Sequence, residues 1–199
     1  GQDLGDRDPL KGELPNLGET LKNYFNPNLR LIRDMPKPVV AAVNGAAAGA
    51  GANIALACDI VLAARSAKFL QAFARIGLIP DAGGSWRLPR LVGPARARGL
   101  AMLAEPLGAE TAAEWGLIWK AVDDDSLIAE AQETAMKLAN GPTLGLALTK
   151  QAMLAAATNS LEEQLLLEEQ LQARAGASDD YREGVSAFLE KRPAKFSGR

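Results

Sequence analysis

The sequence predicts an α/β fold whose second half is almost entirely helical. Three observations carry this reading. Short apolar runs twice lead into Gly-rich turns that open helices, at Asn44–Gly51 and Ile79–Gly84. Beyond Pro94 nearly every segment has helical spacing with plausible caps. The 199 residues are 48% hydrophobic and 23% charged, a globular balance sufficient for one sizeable core but not for two full domains.

Taken in order, Gly1–Leu17 is rich in Gly, Asp, Pro and Asn and reads as loop. Helical periodicity runs from Gly18 to Met35, where Pro36-Lys37-Pro38 forbids continuation. Val39–Val43 is a short buried strand, Asn44–Gly51 a turn, and Ala52–Ala57 the start of a helix. Asp59–Ala64 and Lys68–Ala72 read as strands, and a helix follows the second Gly turn through Leu91. The remaining helices are expected over Ala95–Leu103, Ala109–Trp115, Ser126–Leu138, Thr143–Ala156, Leu161–Ala175 and the stretch from Ser178 to Glu190. Ser160 and Ser178 are the expected caps of the last two. Asp123-Asp124-Asp125 is expected to cap the helix after it. No fixed-period repeat or low-complexity tract is present.

Composition excludes several kinds of chemistry. The sequence holds no histidine, which removes Ser-His and Cys-His nucleophiles, His-based metal sites and imidazole proton shuttles. Proton transfer must therefore come from Asp, Glu, Lys, Tyr or the single thiol, Cys58. Cys58 lies in an apolar run and reads as core filler; one cysteine forms no internal disulfide, which fits a reducing, cytoplasmic setting. A net charge of −2 gives no basic field for nucleic acid. No metal-ligand spacing, secretory signal or membrane-length apolar run is present.

A Gly-rich turn that opens a helix gathers free N–H groups and the positive end of the helix dipole. Gly49, Ala50 and Gly51 are small enough to admit a ligand to the backbone. The ligand could be a phosphate or a carbonyl oxygen that becomes negative during reaction. The dinucleotide fingerprint fits poorly, since Ile54 stands at its third glycine and Lys68 and Phe69 occupy the region of its acidic residue. A tight turn with no ligand is the third possibility.

The segment Pro36-Lys37-Pro38-Val39-Val40-Ala41-Ala42-Val43-Asn44-Gly45-Ala46-Ala47-Ala48-Gly49-Ala50-Gly51 resembles the signature of the enoyl-CoA hydratase/isomerase, or crotonase, superfamily. The resemblance continues through Leu56-Ala57-Cys58-Asp59-Ile60, from Phe69 to Gly84, and from Tyr181-Arg182-Glu183-Gly184-Val185 to Lys195-Phe196, covering nearly the whole chain. It implies a crotonase (ClpP/crotonase-like) spiral of stacked ββα units with a helical C-terminal region. Residues 1–138 would form the spiral core, and 139–199 a region serving oligomerisation and the lid over CoA.

In this family two backbone N–H groups hold the thioester oxygen and stabilise an enolate. One donor carries over to Ala50. The other precedes a Gly-x-Asp-Leu/Ile motif, matched here by Gly1-Gln2-Asp3-Leu4, so a further N-terminal part carrying that donor is expected. Gly1, Gln2, Asp3 and Leu4 are implied in CoA binding, as are Lys195 and Phe196; for Lys195 a solvated tail charge is the alternative. The two water-activating glutamates of the hydratases align with Asn53 and Phe73, neither of which is a carboxylate base. Asp81 matches the aspartate of dienoyl-CoA-type isomerases. A lone carboxyl group suits isomerisation because it removes a proton and returns it elsewhere on one conjugated system. Burial beside Phe73 and Ile79 should raise its pKa towards the working range. Read without the family, Asp81 would be a helix cap.

Asn53, Phe73, Ile79 and Pro80 are thus the expected pocket residues around Asp81 and Ala50. Ala63-Ala64-Arg65-Ser66-Ala67-Lys68-Phe69, Trp115-Gly116-Leu117-Ile118-Trp119 and Asp180-Tyr181-Arg182-Glu183-Gly184 most resemble isomerases of phenylacetate degradation. Those enzymes convert ring-1,2-epoxyphenylacetyl-CoA to its oxepin isomer and shift double bonds in unsaturated acyl-CoAs. A hydratase, an acyl-CoA hydrolase and a non-catalytic acyl-CoA- or protein-binding member are the alternatives. No separate cofactor is expected, since coenzyme A belongs to the substrate. The resemblance also implies a homotrimer or a dimer of trimers (a homohexamer); Leu165, Leu166 and Leu167, on one amphipathic helix, read as packing residues, within the chain or between subunits. Trp86, Trp115 and Trp119 read as core or interface residues rather than pocket walls.

Overall fold

The computed structural model describes Gly12 and Asn16–Arg199. Gly1–Leu4 therefore lie outside the described residues. Two compact units divide the chain: one holds the described residues up to Arg33 together with Val40–Ala131, the other Asp34–Val39 with Gln132–Arg199.

The first unit opens with helix α1 (Leu17–Thr20), a π-helical turn over Leu21–Phe25, and α2 (Asn26–Asp34). The expected helix is present, and its π turn has a local cause. Pro27 has no N–H to offer the preceding turn and its ring crowds that turn's carbonyl. The Asn26 N–H bonds to the Leu21 carbonyl, the wider spacing that makes room.

Two sheets then build up together. β1 (Val40–Val43), β3 (Ile60–Ala64) and β6 (Lys120–Val122) form one three-stranded sheet in the order β1-β3-β6, parallel throughout. β2 (Ala46–Ala48), β4 (Lys68–Leu70) and β5 (Leu107–Gly108) form the other; β2 and β4 are parallel, β4 and β5 antiparallel. β1-β2 leads to α3 (Ala50–Ala55), and β3-β4 leads through a 3₁₀ turn (Ala72–Ile76) to α4 (Gly84–Leu103). Each ββα turn thus gives one strand to each sheet, which makes the arrangement a spiral. α5 (Ala109–Glu114) links β5 to β6, and α6 (Leu127–Ala139) follows a 3₁₀ turn.

The near-continuous apolar run of β3 is explained by its central place between β1 and β6. Val61, Leu62, Ala63 and Ala64 are buried with Ala52, Phe69, Leu88 and Leu127 in the main core. α4 is two helical pieces joined at Gly93, whose φ of 76° and ψ of 163° break the helix just before Pro94, where the sequence separates them. Cys58 is half-buried against this core, as filler. Asp123 is the N-cap residue of the 3₁₀ turn that runs into α6, but its side chain makes no cap hydrogen bond. Asp123 instead accepts from Arg65 Nε at 2.7 Å and Asp124 from the Ser66 N–H at 3.1 Å, because those donors lie at the turn leaving β3.

The second unit is helical: the end of α6, α7 (Thr143–Ala155), α8 (Leu161–Gly176) and α9 (Asp179–Glu190). Ser160 forms a capping box with Glu163, and Ser178 accepts from the Tyr181 N–H, as the two serines predict. Gln164 ties α8 to α7 by donating to the Ala152 carbonyl at 3.2 Å. The tail folds back on α9 through two carboxylates. Asp180, only 3% exposed, accepts the N–H groups of Ser197 and Gly198. Glu183 accepts both forks of the Arg192 guanidinium and the Lys195 N–H at 2.7 Å.

Candidate active site

The site grows from the two glycine turns. Gly49 joins β2 to α3 with φ 54° and ψ −125°, a backbone that side chains disfavour, and its N–H is anchored to the Leu70 carbonyl of β4 at 2.8 Å. A Cβ there would lie 3.6 Å from the Phe73 ring, so that buried ring closes over the turn. Ala50 is the first residue of α3, a position whose N–H has no intrahelical acceptor.

Asp81 begins the second turn. Its carbonyl accepts from the Gly84 N–H at 2.8 Å, closing a β-turn whose central residues both have positive φ, Ala82 at 49° and Gly83 at 77°. That is the sense of a type I′ turn, and Ala82 adopts it without a glycine's freedom. The Ala82 methyl is buried against Ala50 and Leu29. The same carbonyl takes a second hydrogen bond at 2.8 Å from Asn53 Nδ2. Asn53 lies three residues after Ala50 on α3, about 4.5 Å along the helix axis. Asp81 is therefore tied by its backbone to the first turn of the helix that Ala50 opens.

The Asp81 carboxyl group faces the other way energetically. Its Oδ1 is buried without a hydrogen-bond partner among the described residues. Loss of solvent raises its pKa, with a smaller opposing effect from a hydrogen bond to its own backbone. Phe73 is buried, whereas Ile79 is 79% exposed and supplies little of that enclosure in this chain. Ile79 lies outside any helix or sheet, in the stretch that leads into the Asp81 turn. Pro80 is half-buried.

Asn53 also departs from a pocket-lining role. It has no exposed surface, and its amide is committed at both ends: Nδ2 to Asp81 and Oδ1 to Gln71 Nε2 at 2.9 Å. Gln71 was not singled out by the sequence, where it stands in the short apolar run Lys68–Ala72. Lys195 is exposed and Phe196 half-buried against Gly184, both in the second unit.

The family model described as Enoyl-CoA hydratase/isomerase matches residues 1–199. The chain belongs to the enoyl-CoA hydratase/isomerase family. Within it, the chain is 57% identical over 201 residues to the 1,2-epoxyphenylacetyl-CoA isomerase of Escherichia coli, covering 100% of this chain and 76% of that protein. It is 55% identical to a probable enoyl-CoA hydratase of Rhodobacter capsulatus, again over 100% of this chain and 76% of the relative. Among solved structures, the enoyl-CoA hydratase of Bacillus anthracis superposes with a TM-score of 0.93 at 33% identity, over 100% of this chain and 76% of that one. A Mycobacterium abscessus family member gives 0.92 at 38% identity, over 100% and 77%. The crotonase spiral expected from the sequence is thus the fold of this chain. No helix among the described residues is long and apolar enough to cross a membrane.

Proposed function

We propose that the protein isomerises an acyl-CoA thioester, with Asp81 moving the proton and the Ala50 N–H stabilising the enolate. The observation that carries this reading is the buried, unpartnered Oδ1 of Asp81 on a turn tied to the first turn of α3. In a double-bond shift, the Asp81 carboxylate takes a proton from the carbon beside the thioester. The C–H electron pair spreads into a dienolate whose charge gathers on the thioester oxygen. A fixed N–H aimed at that oxygen stabilises it without reorganisation. The protonated carboxyl group then returns the proton to the far end of the conjugated system, and substrate and product have the same atoms.

The substrate class we favour is ring-1,2-epoxyphenylacetyl-CoA, converted to oxepin-CoA, together with unsaturated acyl-CoAs. The 57% identity to an enzyme of that name supports it. Lys195, whose N–H donates to Glu183, and Phe196, beside Gly184, are proposed to contact the CoA part. A hydratase reading has the Rhodobacter relative's name in its favour. Against it stand Asn53 and Phe73, since neither side chain activates water. Product analysis decides: an isomerase leaves mass and free-thiol content unchanged, a hydratase adds the mass of water, and a hydrolase releases thiol.

We also propose that the protein works as a homotrimer or dimer of trimers. α8 buries none of its residues within the chain, and Leu161, Leu165 and Leu166 on it are exposed, as are Phe188 and Leu189 on α9. Sedimentation equilibrium giving a monomer mass at micromolar concentration would refute this.

A further inference from the structure

The chain of amides behind Asp81 has a direction. The Asp81 carbonyl only accepts, so the NH₂ end of Asn53 must face it. Asn53 Oδ1 then faces Gln71, which must present its own NH₂ end, leaving Gln71 Oε1 buried without a partner among the described residues. An orphaned buried acceptor is a net cost to folding, because it gives up its hydrogen bond to water for nothing. The arrangement tolerates that cost while satisfying both lone pairs of the Asp81 carbonyl, one by Gly84 N–H and one by Asn53.

The turn it holds is strained. Ala82 sits at φ 49°, in the left-handed region where the Cβ of a non-glycine residue crowds the following carbonyl oxygen. Gly84 packs so closely on the Asn53 amide that a Cβ would lie 2.2 Å from Nδ2.

We infer that Asn53, oriented by Gln71, is the positioning residue that holds the Asp81–Gly84 turn in the left-handed form presenting the Asp81 carboxyl group. This rests on the reading of Asp81 as the proton carrier. Asn53 touches neither substrate nor reacting atoms; it acts through the Asp81 backbone. A carboxylate at 53 would have no N–H to donate and would set an acceptor against an acceptor.

A mutant cycle on the double-bond shift of a 3-enoyl-CoA tests the inference. Asn53→Ala lowers kcat on the order of 10–100-fold, as expected for a displaced catalytic group, while KM stays within about threefold. Its acidic limb of kcat moves to lower pH, because a freed Asp81 regains solvent. In an Asp81→Asn background, Asn53→Ala changes the residual rate by less than about threefold, because there is no longer a carboxylate to position. Equal losses in the two backgrounds, or an Asn53→Ala kcat within about twofold of wild type, overturn the inference. Should Asn53→Ala fail to fold, Gln71→Leu leaves the Asn53 donor present and loses only its orientation. It lowers kcat about 3–10-fold with the same dependence on background, and an unchanged kcat counts against the inference. Full turnover by Asp81→Asn alone removes the proton-carrier reading and this inference with it, a result distinct from additivity in the cycle.

Discussion

Gly84 and Asn53 are in such close contact that a methyl group on residue 84 would stand 2.2 Å from Asn53 Nδ2 and 2.6 Å from its Cγ. The turn that carries Asp81 and the helix that carries Ala50 meet through this contact and through the Asn53–Asp81 hydrogen bond.

Gly84→Ala should therefore act as an overpacking mutation. Asn53 has no free space to retreat into, so its hydrogen bonds to Asp81 and Gln71 must lengthen or break. The expected cost is about 2–4 kcal/mol, read as a lower urea midpoint with unchanged slope. A loss below the error of the denaturation curve would show that the contact yields easily.

Gly49→Ala tests a different constraint. The new methyl would meet Phe73 at 3.6 Å, an ordinary contact, so the cost comes from φ 54° and ψ −125°. Strain of about 1–3 kcal/mol is expected. Relaxing it rotates the peptide that bears the Ala50 N–H, so kcat should fall with KM little changed. Wild-type kinetics for this variant would argue against Ala50 as the oxyanion donor.

The fold was legible wherever local chemistry dominates. Pro36-Lys37-Pro38 ends α2, Gly93-Pro94 divides α4, and Ser160 and Ser178 cap their helices. Three strands were not legible. Ala46-Ala47-Ala48 has no β-branched or aromatic residue and reads as turn, yet it pairs in parallel with Lys68–Leu70. Lys120–Val122 is too short for any period to register and is a strand because β3 lies beside it. Leu107–Gly108, only two residues, takes its place from antiparallel pairing with β4.

Of the proposed site, Asp81 and Ala50 could be named from the motifs that resemble the family's. The role of Asn53 could not, because its partner is 28 residues away and a buried amide leaves no periodic trace. The doublet Gly83-Gly84 was the available signal: two adjacent glycines after an aspartate mark a left-handed turn with little space behind it.

Asp81 should make stability depend on pH in the sense opposite to most carboxylates. Burial raises its folded pKa, so its neutral form is favoured by folding. The contribution is complete below the unfolded value of about 3.9 and is lost as pH rises through the folded pKa. Asp81→Asn should accordingly be more stable than wild type near neutral pH, and the gap should narrow as pH falls towards about 4. Urea midpoints at the two pH values measure it; a gap that widens on acidification contradicts the assignment.

Glu183 should behave the other way. Arg192, and then the Lys195 N–H, hold its pKa at about 2. Its contribution is present above the unfolded value of about 4.3 and disappears as pH falls through about 2. Glu183→Gln should therefore lower the urea midpoint at neutral pH and lose that effect in acid. It should also raise KM for a CoA thioester several-fold, about 3–10-fold, with kcat nearly unchanged, by loosening Lys195. An unchanged KM would detach the tail from CoA binding.

The central claim is that one carboxyl group carries the proton, and solvent deuterium exchange reads that step directly. With a 3-enoyl-CoA in deuterated buffer, the wild-type protein should exchange and migrate the double bond. Asp81→Asn should lose about 10²–10⁴-fold in both, the usual worth of a general acid/base, while binding CoA thioester with similar affinity. Exchange at the wild-type rate in that variant would mean that the proton travels by another group.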